Sequence, residues 1–215
     1  VINVNNRMSY TIVNQILTED EVYKNHPEYE KYEYLDEMFR HMETLSEILI
    51  NKRRRRGAID FDFPEAKIIL DREGNPLEIK PYERNVATML IESFMLAANE
   101  TVAQHFYWQE MPFVYRIHEN PDPEKIEKLC LFIHNFGYGI KTNKEEVHPK
   151  EIQKLLTKIE GTPEEALISR LTLRSMKQAK YTIDCSGHFG LACQYYCHFT
   201  SPIRRYPDLQ IHRII

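Results

Sequence analysis

The sequence predicts an α/β domain of the α+β kind, helix-rich with a mixed sheet, on three observations. Apolar residues recur at helical spacing through several long segments, above all 34–56 and 83–106. The stretch "KIILDREGNPLEIKPY" has two β-rich arms around Asp71 to Asn75, the pattern of a hairpin. Only 7 glycines occur in 215 residues, which argues against an all-β barrel built on tight turns. Hydrophobic residues at 42% and charged residues at 28% are ordinary for a chain with a substantial buried core. No internal repeat or low-complexity linker appears, so one compact unit is expected.

Taken in order, a short strand opens the chain, and Ser9 then caps a helix through "YTIVNQILTE". In "YLDEMFRHMETLSEILINKRRRR", Leu35, Met38, Phe39, Met42, Leu45, Ile48 and Leu49 share one face of a helix of about six turns. Gly57 ends it. The cations from Lys52 to Arg56 occupy its last turn, where they either compensate the helix dipole or form a phosphate-binding patch; the two readings are compatible. After the hairpin, a helix from Glu83 to Phe106 carries Val86, Leu90, Phe94, Ala97 and Val102 on its apolar side. Asn85, Thr88, Glu92 and Asn99 form a polar stripe on another. "PFVYRIHE" reads as a strand, and Pro121–Phe136, His148–Lys158 and Pro163–Ala179 as helices, with Asp122 or Pro123 and Thr162 as start signals. "GHFGLACQYYCHFTSPI" is β-like, and "YPDLQIHRII" begins a last helix.

A formal net charge of -4 gives no global sign of nucleic-acid binding, so any polyanion must be met by a concentrated local field. Four cysteines, Cys130, Cys185, Cys193 and Cys197, do not suggest a disulfide scaffold in a chain this long. Reduced, half-buried thiols in a cytoplasmic protein are expected. No apolar run approaches the length of a membrane span, and the first residues lack the layout of a signal peptide. The start at Val1 reads like the exit of a strand, so a longer parent protein is expected.

Three groups of residues invite a chemical reading. His188, Cys193, Cys197 and His198 have the ligand types for zinc, but their spacing matches no common structural zinc pattern and favours packing roles. Asp60, Asp62 and Glu65 in "AIDFDFPEA" could flank a divalent cation, yet an exposed strand face explains them better. The third is "CHFTSPIRRYPDL". A guanidinium presents a planar fork of donors that matches phosphate oxygens, and Phe199 and Tyr206 offer stacking faces. The competing reading is a salt bridge to Asp208 or to another buried carboxylate. Spacing alone leaves the two open.

"GHFGLACQYYCHFTSPIRRYPDLQIHR" strongly resembles the signature of the ribonuclease II/ribonuclease R exoribonucleases. "RRGAIDFDFPEAKIILDREGNPLEI", "IESFMLAANETVAQHF" and "LTLRSMKQAKY" resemble further segments of the ribonuclease R branch. The resemblance runs essentially from Val1 to Ile215. It implies part of an RNB-type catalytic domain that cuts RNA hydrolytically and processively from the 3′ end, releasing nucleoside 5′-monophosphates with magnesium. It further implies that Arg204 is catalytic at the scissile phosphate, with Arg205 a neighbour in RNA binding. Tyr10 packs beside the terminal nucleotides, Glu92 bonds near the terminal sugar, and Phe61 stacks on the terminal base. Stacking of this kind is worth about 1–3 kcal/mol per base, and a carboxylate at a 2′-hydroxyl separates RNA from DNA.

Two departures qualify the resemblance. Where many relatives read Ile-Glu-Glu, this chain has Ile91-Glu92-Ser93. The family's aspartate cluster for metal is also missing, so the magnesium ligands are expected upstream of residue 1. The flanking OB-type domains are likewise expected outside the chain. On this reading the 215 residues alone are inactive, and their RNA affinity is weak and steeply salt-dependent. The expected partner is the 3′ end of single-stranded RNA, with no membrane and a monomeric full-length protein. The alternative is a non-catalytic RNB-type scaffold that binds RNA without cutting it.

Overall fold

Ser9 starts the first helix as expected, its Oγ accepting the Ile12 N–H at 3.3 Å. In the computed structural model, residues 3–18, 24, 27–60, 66–81, 84–143 and 146–215 are described. They fall into two compact units, Val1–Ile50 with Asp62–Phe94, and Asn51–Phe61 with Met95–Ile215. The division falls inside two continuous helices, so no change of composition marks it in the sequence.

In the first unit, α1 (Tyr10–Leu17) is followed by α2 (Pro27–Tyr32), a 3-10 turn (Glu33–Leu35) and the start of α3 (Asp36–Arg56). The strand expected before α1 is not formed. Residues 3–9 are irregular and join no ladder, which suits a segment rich in exposed polar side chains. Ile16, Leu17, Tyr32, Phe39 and Leu90 make the core of this unit. The stripe on α3 is only partly covered, because Met38, Leu45 and Ile48 are exposed. The hairpin forms as read. β1 (Ala66–Leu70) pairs antiparallel with β2 (Pro76–Pro81), with Ile68 opposite Ile79. Asp71 organises its turn, one carboxylate oxygen accepting the N–H groups of Glu73 and Asn75 at 2.8 Å each.

Helix α4 (Val86–Trp108) opens on a reciprocal cap. The Asn85 side chain accepts the Thr88 N–H at 3.0 Å, and the Thr88 hydroxyl accepts the Asn85 N–H at 2.9 Å. Against the expectation of no membrane-length apolar run, an 18-residue window of this helix reaches a mean hydropathy of 1.2. Length and composition alone would let it cross a bilayer. Its polar groups are instead wired to protein partners, Glu92 to Arg84, Glu100 to Arg56 and Asn99 to three residues, as in the core helix of a folded domain.

In the second unit β3 (Tyr115–Ile117) pairs antiparallel with β6 (Lys180–Thr182). Ala103, Phe106, Phe113, Tyr115, Ile117, Cys197 and Ile211 share one core. Between the two strands lie α5 (Pro123–His134), the short ladder of β4 (Thr142–Asn143) with β5 (Glu146–Val147), α6 (Pro149–Ile159) and α7 (Glu165–Ser175). Leu129, Ile133, Leu155, Ile159 and Ile168 from the three helices form a second core. Asp122 caps α5 as expected, accepting the Glu124 N–H at 2.9 Å. Thr162 does not cap α7; its hydroxyl turns back to the Ile159 carbonyl at 2.6 Å, closing α6 instead.

The segment read as β-like, from Gly187 to Ile203, is the main correction to the fold. It forms bridges and turns, with Gly187 and Ala192 at positive φ, and no strand. It is pinned to β3 by backbone bonds, Arg116 N–H to Tyr196 O at 2.9 Å and Phe189 N–H to His118 O at 2.8 Å. The bridge from His118 to His188 is parallel but isolated, and in place of the expected mixed sheet the described residues form three two-stranded antiparallel ladders. Helix α8 (Tyr206–Ile214) ends the chain as read.

Candidate functional site

Arg204 leaves the backbone on the turn between this irregular segment and α8. Its N–H bonds to the Ser201 carbonyl at 3.3 Å, and Arg205 N–H reaches the same oxygen at 3.1 Å. Pro207 sits in the first turn of α8, where its missing N–H costs nothing. Asp208 follows with a fully buried side chain. One of its oxygens accepts both the Ser201 N–H at 2.7 Å and the Arg205 guanidinium at 2.8 Å. The two adjacent arginines therefore differ. Arg205 is committed to Asp208, the salt bridge that the sequence left open, whereas Arg204 is exposed and makes no ion pair or side-chain hydrogen bond among the described residues.

The opposite side of the turn is held by Asn99 of α4, 2% exposed. Its side-chain oxygen accepts the N–H groups of Phe199 at 3.0 Å and Thr200 at 3.2 Å, and its nitrogen donates to the Tyr196 hydroxyl at 3.2 Å. Two N–H donors on one atom fix which end of the amide is oxygen. The Cys197 thiol meets the Asn99 carbonyl at 3.2 Å, and His212 stacks on Phe199 with centroids 4.3 Å apart. The sequence placed Asn99 in a polar stripe without seeing this role. A lone amide at an otherwise apolar position was the available signal.

Burial first, and then the charges of Arg205, Arg116 and Arg204, lower His198 to about 4. His198 is neutral at neutral pH, and its Nδ1 bonds to the Tyr181 hydroxyl at 2.7 Å. Arg116 lies 4.7 Å from the centre of the Tyr181 ring. Three guanidinium charges, opposed by the Asp208 carboxylate, thus bear on His198. Arg116 was missed by the sequence reading, because an arginine in a short strand carries no motif of its own.

The other expected site residues are distributed as follows. Tyr10 is the exposed first residue of α1 in the first unit. Glu92, in the same unit, pairs with Arg84 at 2.8 Å. Phe61 lies outside the described residues, as do Asp62 and Glu65. The zinc lookalike is not a cluster: Cys197 bonds to Asn99, His198 to Tyr181, and His188 accepts the Leu191 N–H at 3.2 Å. Among the described residues no group of three or more His, Cys, Asp or Glu side chains could hold a metal ion. The described residues therefore do not fit a magnesium site.

The second unit also contains a cavity of about 520 Å³ lined by Arg56, Tyr107, His118, His188, Cys193 and Tyr195, among others. Arg204 does not line it. Burial, followed by the charge of His118, lowers His188 to about 3, and burial raises Cys193 to about 12, so both are neutral there at ordinary pH.

In this helix-rich α/β domain, Arg204 is exposed and makes no ion pair among the described residues, on a turn held by Asp208 and Asn99. The RNB domain family matches residues 1–215, and the chain belongs to it. Ribonuclease R 1 of Lactococcus lactis is 46% identical over 215 residues, covering 100% of this chain and 26% of that protein. Ribonuclease R of Aquifex aeolicus is 51% identical over 185 residues, 86% of this chain and 26% of that one. Mycoplasma genitalium RNase R, solved in complex with ribose methylated single-stranded RNA, superposes with a TM-score of 0.85 at 30% identity, covering 97% of this chain and 32% of that one. The chain thus spans about a quarter of the length of these curated relatives. The resemblance to the ribonuclease R branch holds over its whole length.

Proposed function

We propose that this chain is part of the catalytic domain of a 3′→5′ exoribonuclease that hydrolyses RNA processively to nucleoside 5′-monophosphates. One observation carries the reading: of the two adjacent arginines, Arg205 is tied to a buried carboxylate, and Arg204, on the turn that this tie fixes, is exposed with no ion pair among the described residues. A guanidinium in that position can meet two phosphate oxygens at once and lower the energy of the charge that builds as a phosphodiester is attacked. In the reaction, water adds to phosphorus, the bond from phosphorus to the 3′-oxygen breaks, and that oxygen takes up a proton. The released nucleotide keeps its 5′-phosphate. Arg204 contributes by holding the phosphate and stabilising the transition state, not by transferring the proton, since an arginine stays protonated. Tyr10 and Phe61 are assigned to stacking of the terminal nucleotides, Glu92 to the terminal sugar, and Arg205 to a supporting place beside the phosphate. Magnesium ligands are assigned to a part of the protein outside this chain.

The test is an assay of 3′-labelled single-stranded RNA with magnesium, using a protein extended to the length of its relatives, beside Arg204→Ala. Monophosphate release that the substitution reduces by about a hundredfold or more supports the enzyme. An extended protein that binds RNA and releases no monophosphate is the non-catalytic scaffold instead.

A further inference from the structure

We infer that the C-terminal turn of α3, together with the start of α6, is a second RNA-contact surface that grips phosphates through Lys52, Arg54, Arg55 and Lys150. This rests on the RNA reading above but involves none of the residues assigned to the reaction. The sequence left two compatible roles for the basic run, compensation of the helix dipole and a phosphate patch, and the structure shows that these side chains are not needed as hydrogen-bonding caps. The carbonyls of Arg53, Arg54 and Arg55 at the end of α3 each accept a hydrogen bond. Gly57 N–H and Ala58 N–H close the helix onto Arg53 and Arg54, a Schellman arrangement with Gly57 at φ +100. From α6, Gln153 donates to the Arg54 carbonyl at 3.0 Å and to the Ala58 carbonyl at 2.9 Å, and Lys150 reaches the Arg55 carbonyl at 3.5 Å. The helix end is capped without the arginine side chains.

Arg56 is neutralised separately by a two-point pair with Glu100 at 2.7 and 2.9 Å. Lys52, Arg54, Arg55 and Lys150 are all exposed, and none makes an ion pair among the described residues. Lys52 and Arg55, three apart, share a helix face where like charges repel. Arg54 flanks them, and Lys150 is brought alongside by its bond to Arg55. Four exposed cations without an ion pair among the described residues, on a chain with a net charge of -4, are a local concentration that a bound polyanion would relieve. A single RNA strand, with a charge on every nucleotide and a backbone free to follow the patch, supplies that counter-charge repeatedly.

The experiment is fluorescence anisotropy of a labelled single-stranded oligoadenylate with the 215-residue chain, repeated across KCl concentrations. Arg54→Ala/Arg55→Ala should weaken binding and flatten the plot of log affinity against log salt by about 0.7 per cation, about 1.4 in all. Arg54→Lys/Arg55→Lys keeps the charge and should keep the slope, which separates loss of charge from loss of fold. A slope unchanged by the alanine pair but reduced by Arg204→Ala overturns this inference and leaves the RNA reading intact. No binding by the unmodified chain overturns this inference alone, because the exoribonuclease reading is tested on the extended protein. If the alanine pair abolishes sedimentation with phosphatidylserine vesicles and leaves the RNA slope unchanged, the patch serves a membrane surface and the inference is wrong.

Discussion

Asp208 receives the Arg205 guanidinium at 2.8 Å on the same oxygen that accepts the Ser201 N–H at 2.7 Å, and its side chain has no exposure. Removing Arg205 leaves a buried carboxylate without its counter-charge. Breaking such a pair costs about 3–5 kcal/mol when both partners are buried. Arg205 is 21% exposed, so the expected loss for Arg205→Ala is about 3 kcal/mol. Its neighbour behaves differently. Arg204→Ala removes an exposed side chain that has no ion pair or side-chain hydrogen bond among the described residues, and its effect should lie within about 0.5 kcal/mol. Urea unfolding of the two variants side by side checks this, and equal losses would mean that the arginines are not divided as described.

Asn99 can be tested independently of any activity. Asn99→Ala strands the N–H groups of Phe199 and Thr200, each of which costs about 1–3 kcal/mol when buried and unpaired. Faster hydrogen exchange at those two amides, with α5 and α6 little affected, is the expected signature. In a catalytically competent longer protein the same variant should reduce kcat more than it raises KM, because it loosens the turn that carries Arg204. Unchanged exchange at Phe199 and Thr200 would remove Asn99 from the account.

The helices and the hairpin were legible in the sequence because each carries its own local signal. Ser9 and Asp122 cap where they were read, Asp71 turns the hairpin, and Gly57 ends α3. Nothing in "SPIRRYP" says which arginine is committed to Asp208, and only the fold shows that it is Arg205. The segment from Gly187 to Ile203 was misread because its Tyr, Phe and Cys residues have strand preferences. Its conformation is set by contacts distant in the chain, Asn99 and the edge of β3, which no local pattern reports. The two-unit division was hidden for a related reason: it cuts through α3 and α4, whose periodicity continues across it.

Acid should destabilise the second unit through its histidines. Burial, followed by neighbouring positive charge, lowers His198 to about 4 and His188 to about 3, against an ordinary value of 6.5. In the unfolded chain both bind protons as pH falls through 6.5, while in the folded state they bind them only near 4 and 3. The unfolded state thus holds more protons throughout that window, and stability is full above 6.5 and declines as pH falls toward 4 and then 3. His198→Gln should make the curve of unfolding free energy against pH shallower between 6.5 and 4. The same slope in parent and variant would show that His198 protonates freely when folded.

Gly57 ends α3 at φ +100, and a methyl group there would meet the Lys150 Cβ at 2.9 Å and the Lys150 backbone at 3.1 Å. Two separate penalties follow for Gly57→Ala. The left-handed conformation costs a residue with a Cβ about 1–2 kcal/mol, and the contact adds to it because backbone atoms of α6 cannot swing aside like the end of a flexible side chain. Gly137 separates the two. It has φ +81 with no described atom within 4 Å of an added Cβ, so Gly137→Ala pays for conformation alone, about 1 kcal/mol. Gly57→Ala is expected to lose more than Gly137→Ala in urea unfolding, by an amount that measures how rigidly α6 is held against the end of α3. Equal losses would show that α6 gives way, and with it the close approach that sets Lys150 beside Arg55.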